Sequence, residues 1–355
     1  MQLIFPFLKH LDIPAAWDAA AVHFVEQGGI AMVLGAPDSG KSTLSRYLIY
    51  RAFTAGKPVA LVDLDLGQSH LGPPAALGLG LFPPRFPGDD SLFPDGLYFI
   101  GQTSPVGAIL EVTVGCRVLV DQARDMGVGH VVVNTDGLVQ GPAAFRLKVA
   151  QTELLRPALI LALAWGGELD LLLRAMTAEE DSPVRRLPVS GRATRKTVEA
   201  RRAYREARFR AYFAEARPLQ LSLRDLQWRG LSLGQGRPLD ETEIKFYGKA
   251  LGTPVFFGEA DGRRRVLLLE EPPSEAGQPP RDERLVFLPW QSFAYRLTGL
   301  LDGRHRTLAL GLILPTAWNG RFISVLTPLP PPAAARIKYL HLGKIRVHPG
   351  GQEII

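Results

Sequence analysis

The chain of 355 residues has one cysteine, Cys116, two asparagines and four methionines. A single cysteine excludes an intramolecular disulfide and any multi-cysteine zinc site. The seven histidines fall at no metal-ligand spacing, and no G-x-S-x-G segment is present. Metallohydrolase and serine-hydrolase chemistry therefore have no motif to stand on. The longest apolar runs, such as ALILALAW at 158–165, are far short of the roughly 20 residues that cross a bilayer. The opening MQLIFPFLK carries no basic residue ahead of its apolar stretch, which makes a poor secretory signal. These absences predict a soluble, cytoplasmic chain without membrane attachment.

What is present is ordinary in bulk and uneven in placement. Hydrophobic residues make up 46% and charged residues 21%, as in a globular protein. At roughly 150 residues per domain the length suggests two or three domains. The net charge is +6, and residues 191–217 alone hold nine Lys and Arg against three acids. One segment carries the whole imbalance, as a local anion-binding site would.

Strand and helix patterns alternate through the first two thirds. GIAMVLG (29–35), PVALVDL (58–64), GLYFIG (96–101), HVVVNT (130–135) and PALILALA (157–164) read as buried strands. Residues 41–55, 106–126, 143–155 and 168–176 read as helices, and the Pro- and Gly-rich 72–96 as a loop. Such alternation predicts an α/β, doubly wound parallel sheet with helices on both faces, binding ligands at the carboxyl ends of its strands. From about 221 onward, short apolar runs and Gly/Pro turns predict a smaller, mainly β C-terminal domain. The expected division is a lead segment 1–28, a nucleotide-binding domain 29–220 and a C-terminal domain 221–355.

The sharpest signal is Gly35-Ala36-Pro37-Asp38-Ser39-Gly40-Lys41-Ser42, followed by Thr43. It matches G-x-x-x-x-G-K-[ST] at every fixed position, after a predicted strand and before a predicted helix. In a P-loop NTPase fold, the amides of Asp38 to Ser42 wrap a phosphate, Lys41 reaches the β- and γ-phosphates and Ser42 ligates Mg²⁺. Asp63-Leu64-Asp65-Leu66-Gly67-Gln68 follows at the end of the second strand. Two carboxylates spaced by one suggest two jobs: Asp63 near the metal, and one of the pair accepting a proton from an incoming hydroxyl. Residues 193–216 lack Gly and Pro and favour helix. Arg201, Arg205 and Arg208 there recur at i, i+4 and i+7, a stripe suited to a transferring phosphoryl group. His70 reads as a loop histidine or as one near a phosphate, Asp136 as polar scaffolding and Cys116 as a buried helix residue.

GxxDSGKST followed by DLDxGQ resembles the polynucleotide 5'-hydroxyl kinase family, which includes the kinase subunit of the pre-mRNA 3'-end cleavage machinery and the nucleolar kinase of ribosomal RNA processing. Gly101-Gln102-Thr103-Ser104-Pro105 is similar to the family's G-x-x-S-P segment, which clasps the substrate end. Asn134-Thr135-Asp136-Gly137-Leu138-Val139-Gln140-Gly141 is similar to its N-T-x-G-W-V-x-G segment. Arg201-Arg202, Arg205, Arg208 and Arg210 resemble its arginine-rich lid, expected as a helix over about 192–217, and 328–347 resembles its C-terminal run. The likeness runs in order from about 30 to 347. It departs at Leu138, where the family's tryptophan stacks on the terminal base; Tyr204 and Trp165 are the aromatic substitutes at hand. It departs again at the front, where only 28 residues stand in place of the N-terminal β domain of eukaryotic members.

The resemblance implies transfer of the γ-phosphate of ATP, or of another nucleoside triphosphate, to the 5'-hydroxyl end of RNA or DNA, with Mg²⁺. Its implied catalytic set is Lys41, Asp65, Asp63, Arg201 and Arg205, with Asp65 preferred as the base. Gly35, Asp38, Ser39, Gly40, Lys41, Ser42 and Thr43 hold the nucleotide. Gln68, Thr103, Ser104, Asn134, Thr135, Leu138, Arg202 and Arg208 hold the acceptor, and Ser42 and Asp63 the metal. The rival readings are an ATP-binding scaffold of an RNA-processing complex with little kinase activity, and a small-molecule or nucleoside kinase or a switch ATPase. The sequence names no protein partner.

Overall fold

The computed structural model describes residues 12–82, 94–176, 183–222, 226–230, 233–271, 273, 284–315 and 322–354. Two compact units divide between Arg208 and Phe209. The expected boundary at 220 is thus too late. Phe209, Tyr212 and Phe213 are buried, and the Tyr212 hydroxyl accepts the Leu310 amide at 2.9 Å, so this stretch belongs to the second unit's core.

The first unit opens with a helix inside the predicted lead segment, α1 (Ala15–Gln27). The strands β1 (Gly29–Gly35), β2 (Val59–Asp63), β3 (Ala76–Phe82), β4 (Gly96–Phe99), β5 (His130–Asn134), β6 (Leu159–Ala164) and β7 (Val184–Pro188) form one sheet in the order β4-β3-β2-β5-β1-β6-β7. Pairing is parallel from β2 through β7, and antiparallel on both sides of β3. The helices α2 (Lys41–Thr54), α3 (Ile109–Asp125), α4 (Gly141–Leu155), α5 (Asp170–Met176) and α6 (Val198–Phe213) complete the set, with α6 running across the division into the second unit. Alternate strand residues separate the two faces, as the pleat requires. Ala31, Val33 and Leu61 pack with Trp17 and Phe24 of α1 and Leu44 and Leu48 of α2. Ile30, Val62, Val131 and Val133 pack with Val112 and Leu119 of α3 and Leu147 of α4.

The predicted loop at 72–96 contains β3, and the sheet is mixed for that reason. ALGLGLF is a strand despite its glycines because Leu71 lies on it: a Cβ on Gly78 would sit 2.7 Å from the Leu71 carbonyl oxygen. The predicted lid helix is shorter than expected. It begins where the Thr197 hydroxyl takes the Ala200 amide at 3.1 Å, and 192–197 run outside any helix.

In the second unit, β8 (Arg217–Ser222), β9 (Gln227–Arg229), β10 (Arg237–Pro238), β11 (Val255–Asp261), β12 (Arg264–Leu269), β13 (Arg284–Pro289), β14 (Arg296–Asp302), β15 (Thr307–Ile313), β16 (Phe322–Thr327), β17 (Ile337–Val347) and β18 (Glu353–Ile354) form two sheets. One has the order β10-β11-β12-β13. The other runs β18-β17-β14-β15-β16-β8, with β9 beside β17. The helix α7 (Glu241–Leu251) starts with a capping box of Asp240 and Glu243. The unit is mainly β, as its sequence predicts.

Candidate functional site

Register places the site. Val33, Asn134 and Asp63 lie side by side on β1, β5 and β2, so the loops after these strands open at one edge of the sheet. Residues 36–43, 65–68, 103–105, 136–138, 190–194 and the start of α6 all contribute to one cavity of about 660 Å³ there.

The loop after β1 is bent by left-handed backbone at Asp38 (φ 63°) and Gly40 (φ 92°) and runs straight into α2. No side chain caps α2, so its first amides and its dipole face the cavity, a ready site for an anion. The Ser39 hydroxyl is buried without a partner among the described residues. Lys41 is 6% exposed, its ammonium donates to the Ala36 carbonyl at 2.8 Å, and burial lowers its pKa to about 8 despite nearby Asp65. An uncapped helix, an orphaned hydroxyl and a desolvated cation are each costly alone, and a polyphosphate resolves all three. The residues fit the nucleotide.

Asp63 and Asp65 prove unlike. Asp63 is fully buried and does not line the cavity. It accepts the His70 amide at 2.7 Å, the Asn134 amide group at 3.0 Å and the Asp65 amide at 3.2 Å. Burial raises its pKa against those donors. It braces the loop that carries Asp65, and it meets Ser42 only through Asn134, whose Nδ2 also donates to the Ser42 hydroxyl at 3.3 Å. Asp65 faces the cavity. Its Oδ1 takes the amides of Gly67 and Gln68 at 3.1 and 2.9 Å, while its Oδ2 takes no hydrogen bond from any described residue. Burial first, and the Asp63 charge second, push its pKa up. A half-engaged carboxylate of raised basicity facing an open cavity is suited to accept a proton.

No cluster of three or more acids, histidines or cysteines that could hold a metal unaided occurs among the described residues. Ser42 at the loop still fits Mg²⁺, which is commonly held by few protein oxygens together with substrate phosphates.

The remaining predicted residues divide. Gln68, Thr103, Ser104 and Leu138 line the cavity, and so do Asp38, Gly40, Ser42 and Thr43. Asn134 and Thr135 do not; both are buried, with the Thr135 hydroxyl on the Val33 carbonyl at 2.8 Å. They hold strand ends together. Of the arginine stripe, Arg201 and Arg205 line the cavity. Arg201 pairs with Asp38 at 2.6 Å, and Gln68 donates to its carbonyl at 3.2 Å, so the lid is docked on the phosphate loop. Arg208, nearly a turn of helix beyond Arg205, instead donates to the carbonyls of His70 and Gly72 at 3.2 and 2.9 Å. Arg202 faces outward and pairs with Glu206 at 3.0 Å. Tyr204 and Trp165 do not line the cavity.

His70, which the sequence places either as a loop histidine or near a phosphate, reaches the cavity. Two features escaped the sequence reading. Trp17 of α1 lines the cavity too, its indole fixed by a 2.8 Å bond to the Pro188 carbonyl. Lys148 is fully buried and pairs with Asp136 at 2.7 Å, while Asp136 also takes the Leu138 amide at 2.8 Å. This pair shapes the 136–138 loop, and Gly137 lets that loop close on the phosphate loop: a Cβ there would sit 2.9 Å from the Pro37 nitrogen. Ala144, Leu147, Lys148, Gln151 and Leu155 form the buried stripe of α4. A lysine at core spacing was the available signal.

A phosphate loop at the edge of a parallel sheet, a facing carboxylate and an arginine lid define a P-loop nucleotide-binding chain equipped for phosphoryl transfer. Residues 35–215 match the family model described as mRNA cleavage and polyadenylation factor CLP1 P-loop, and the chain belongs to that family. A polyribonucleotide 5'-hydroxyl-kinase of Thermococcus kodakarensis is 30% identical over 323 residues, covering 91% of this chain and 89% of the relative. One from Methanocaldococcus jannaschii is 27% identical over 326 residues, covering 91% and 88%. In a solved wild-type Clp1p–Pcf11p complex, a chain of 13% identity superposes with a TM-score of 0.62 over 93% of this chain and 78% of that one, a likeness of fold.

Proposed function

We propose that this protein is a polynucleotide 5'-hydroxyl kinase that transfers the γ-phosphate of ATP to the 5'-hydroxyl end of RNA or DNA. The observation that carries the reading is Asp65, a carboxylate of raised pKa with one uncommitted oxygen in the same cavity as Lys41, Arg201 and Arg205. The kinase names of the relatives that span nine tenths of the chain support it.

The amides at the start of α2 and the Lys41 ammonium bind the β- and γ-phosphates. Ser42, at the start of α2, is placed to hold Mg²⁺. The ion, when bound, offsets charge on the β- and γ-oxygens. Thr103, Ser104 and Gln68 line the cavity on the acceptor side. The 5'-oxygen forms a bond to the γ-phosphorus, the bond from that phosphorus to the β–γ bridging oxygen breaks, and ADP leaves. Asp65 takes the hydroxyl proton. Arg201 and Arg205 stabilise the charge spread over the transferring group, and the docked lid excludes water that would otherwise hydrolyse ATP.

The test uses γ-labelled ATP, Mg²⁺ and 5'-hydroxyl RNA and DNA oligonucleotides, with Lys41→Ala alongside. Label on the 5' end from wild type alone supports the kinase, and the RNA-to-DNA ratio sets the substrate class. Nucleotide binding without transfer would replace this reading with the scaffold. A nucleoside outcompeting an oligonucleotide would replace it with a small-molecule kinase.

A further inference from the structure

The second unit carries chemistry that the kinase reading leaves unused. The hairpin of β14 and β15 turns at 302–306, beside the start of β17, and β9 lies along β17 with His341 opposite Arg229. On this corner the His305 and Tyr339 rings lie 4.5 Å apart, tilted by 42°. Arg229 contacts both. Its guanidinium sits 5.9 Å from the Tyr339 ring centre, and its Nη1 is 3.3 Å from His305 Nδ1. Arg304, Arg306, Arg336 and Lys338 surround the stack, all exposed, and the Lys338 side chain packs beside Gly303. The acid set among them is Asp302, and it is committed. It takes the Arg304 and Arg306 amides at 2.8 and 3.0 Å and pairs with Arg336 at 3.6 Å. Burial, and then the Arg229 charge, lower the His341 pKa to about 4, so the strand face beneath stays neutral. The patch therefore presents five cations around an aromatic pair in which His305 is exposed and Tyr339 half-buried.

We propose that this corner of the C-terminal unit is a second polynucleotide contact, binding single-stranded RNA or DNA by phosphate pairing to Arg229, Arg304, Arg306 and Lys338 and by base stacking on Tyr339 and His305. The inference rests on the kinase reading for its choice of polymer. Uncompensated guanidinium groups meet a polyanion without a competing acid. A ring pair adds what an acidic peptide or an anionic lipid surface cannot use, a platform for a flat base. Stacking on such a platform tolerates any base, so the contact adds grip without sequence preference.

The test measures binding of the full-length protein to a fluorescent single-stranded RNA of about 20 nucleotides carrying a 5'-phosphate, which cannot act as acceptor. Each neutralised phosphate contributes roughly 0.7 to the slope of log affinity against log salt for a single strand. Arg229→Ala/Arg304→Ala/Arg306→Ala is expected to reduce that slope by about 2. Tyr339→Ala is expected to weaken binding about ten-fold, and Tyr339→Phe to retain it. In the kinase assay the triple variant is expected to lose the advantage of a 20-nucleotide acceptor over a tetranucleotide while phosphorylating the tetranucleotide as wild type does. An unchanged salt slope, equal loss in the Ala and Phe variants, or competition by polyglutamate as strong as by RNA would each overturn the proposal. Absence of label transfer by wild type would overturn the kinase reading and leave the binding arm intact, so the two failures are distinct.

Discussion

The desolvated Lys41 makes nucleotide binding depend on pH in a range where ordinary lysines are silent. With its folded pKa near 8 against 10.5 unperturbed, the ammonium form falls from about nine tenths of molecules at pH 7 to about one tenth at pH 9. Nucleotide phosphates require that form, and their charge restores the pKa once bound, so binding takes up a proton as pH passes 8. The apparent dissociation constant scales inversely with the competent fraction. It is therefore expected to weaken about ten-fold between pH 7 and 9. Stability without nucleotide runs the opposite way. Below pH 8 the buried ammonium opposes folding, and stability without nucleotide rises from pH 8 towards 10.5 as the unfolded chain binds the extra proton. Calorimetric titration of ADP in two buffers of different ionisation heat reads affinity and proton uptake together. Lys41→Met should bind weakly with no pH slope. A flat affinity from pH 7 to 9, or proton release on binding, would refute the account of Lys41.

Asp65→Asn should lower turnover by about 10²–10⁴ with nucleotide affinity retained. It should also abolish an acid limb that in wild type lies above the ordinary carboxylate value near 3.9, since activity needs the carboxylate and is lost as pH falls through its raised pKa. Arg205→Ala should cut turnover by roughly 10³–10⁵ and leave nucleotide affinity within a few fold; weakened binding at normal turnover would count against a role in transfer. Lys148→Met removes the ion-pair partner of buried Asp136, at a cost of about 3–5 kcal/mol, or a melting temperature lower by about 10 °C. The double variant with Asp136→Asn should recover most of that loss, and a single variant as stable as wild type would refute the pairing. Leu138→Trp, at the cavity wall, should tighten binding of a 5'-hydroxyl oligonucleotide by about ten-fold in competition assays.

The parts of the molecule legible in the sequence are those whose physics is local. The phosphate loop is a contiguous string whose conformation and chemistry are both set by its own residues, and β1, β2, β5 and β6 are apolar runs buried on both faces. The misreadings came where a distant residue decides the outcome. ALGLGLF looks like loop until Leu71 is laid across its glycines. The arginine stripe is real as a helical face. Which of its members reach the cavity depends on where α6 docks, and the bonds from Tyr204 to Ser69 and from Arg208 to His70 and Gly72 settle that at the lid's far end. Asp63 and Asp65 are equivalent by spacing and opposite in role. One strand position puts Asp63 level with Asn134, inside the sheet, and two residues further the chain has left the sheet and Asp65 meets the cavity. Motif spacing therefore nominates a set of polar residues, and burial then sorts them. Asp63, whose two oxygens accept four hydrogen bonds, holds the frame, and Asp65, with an oxygen to spare, is proposed for the chemistry.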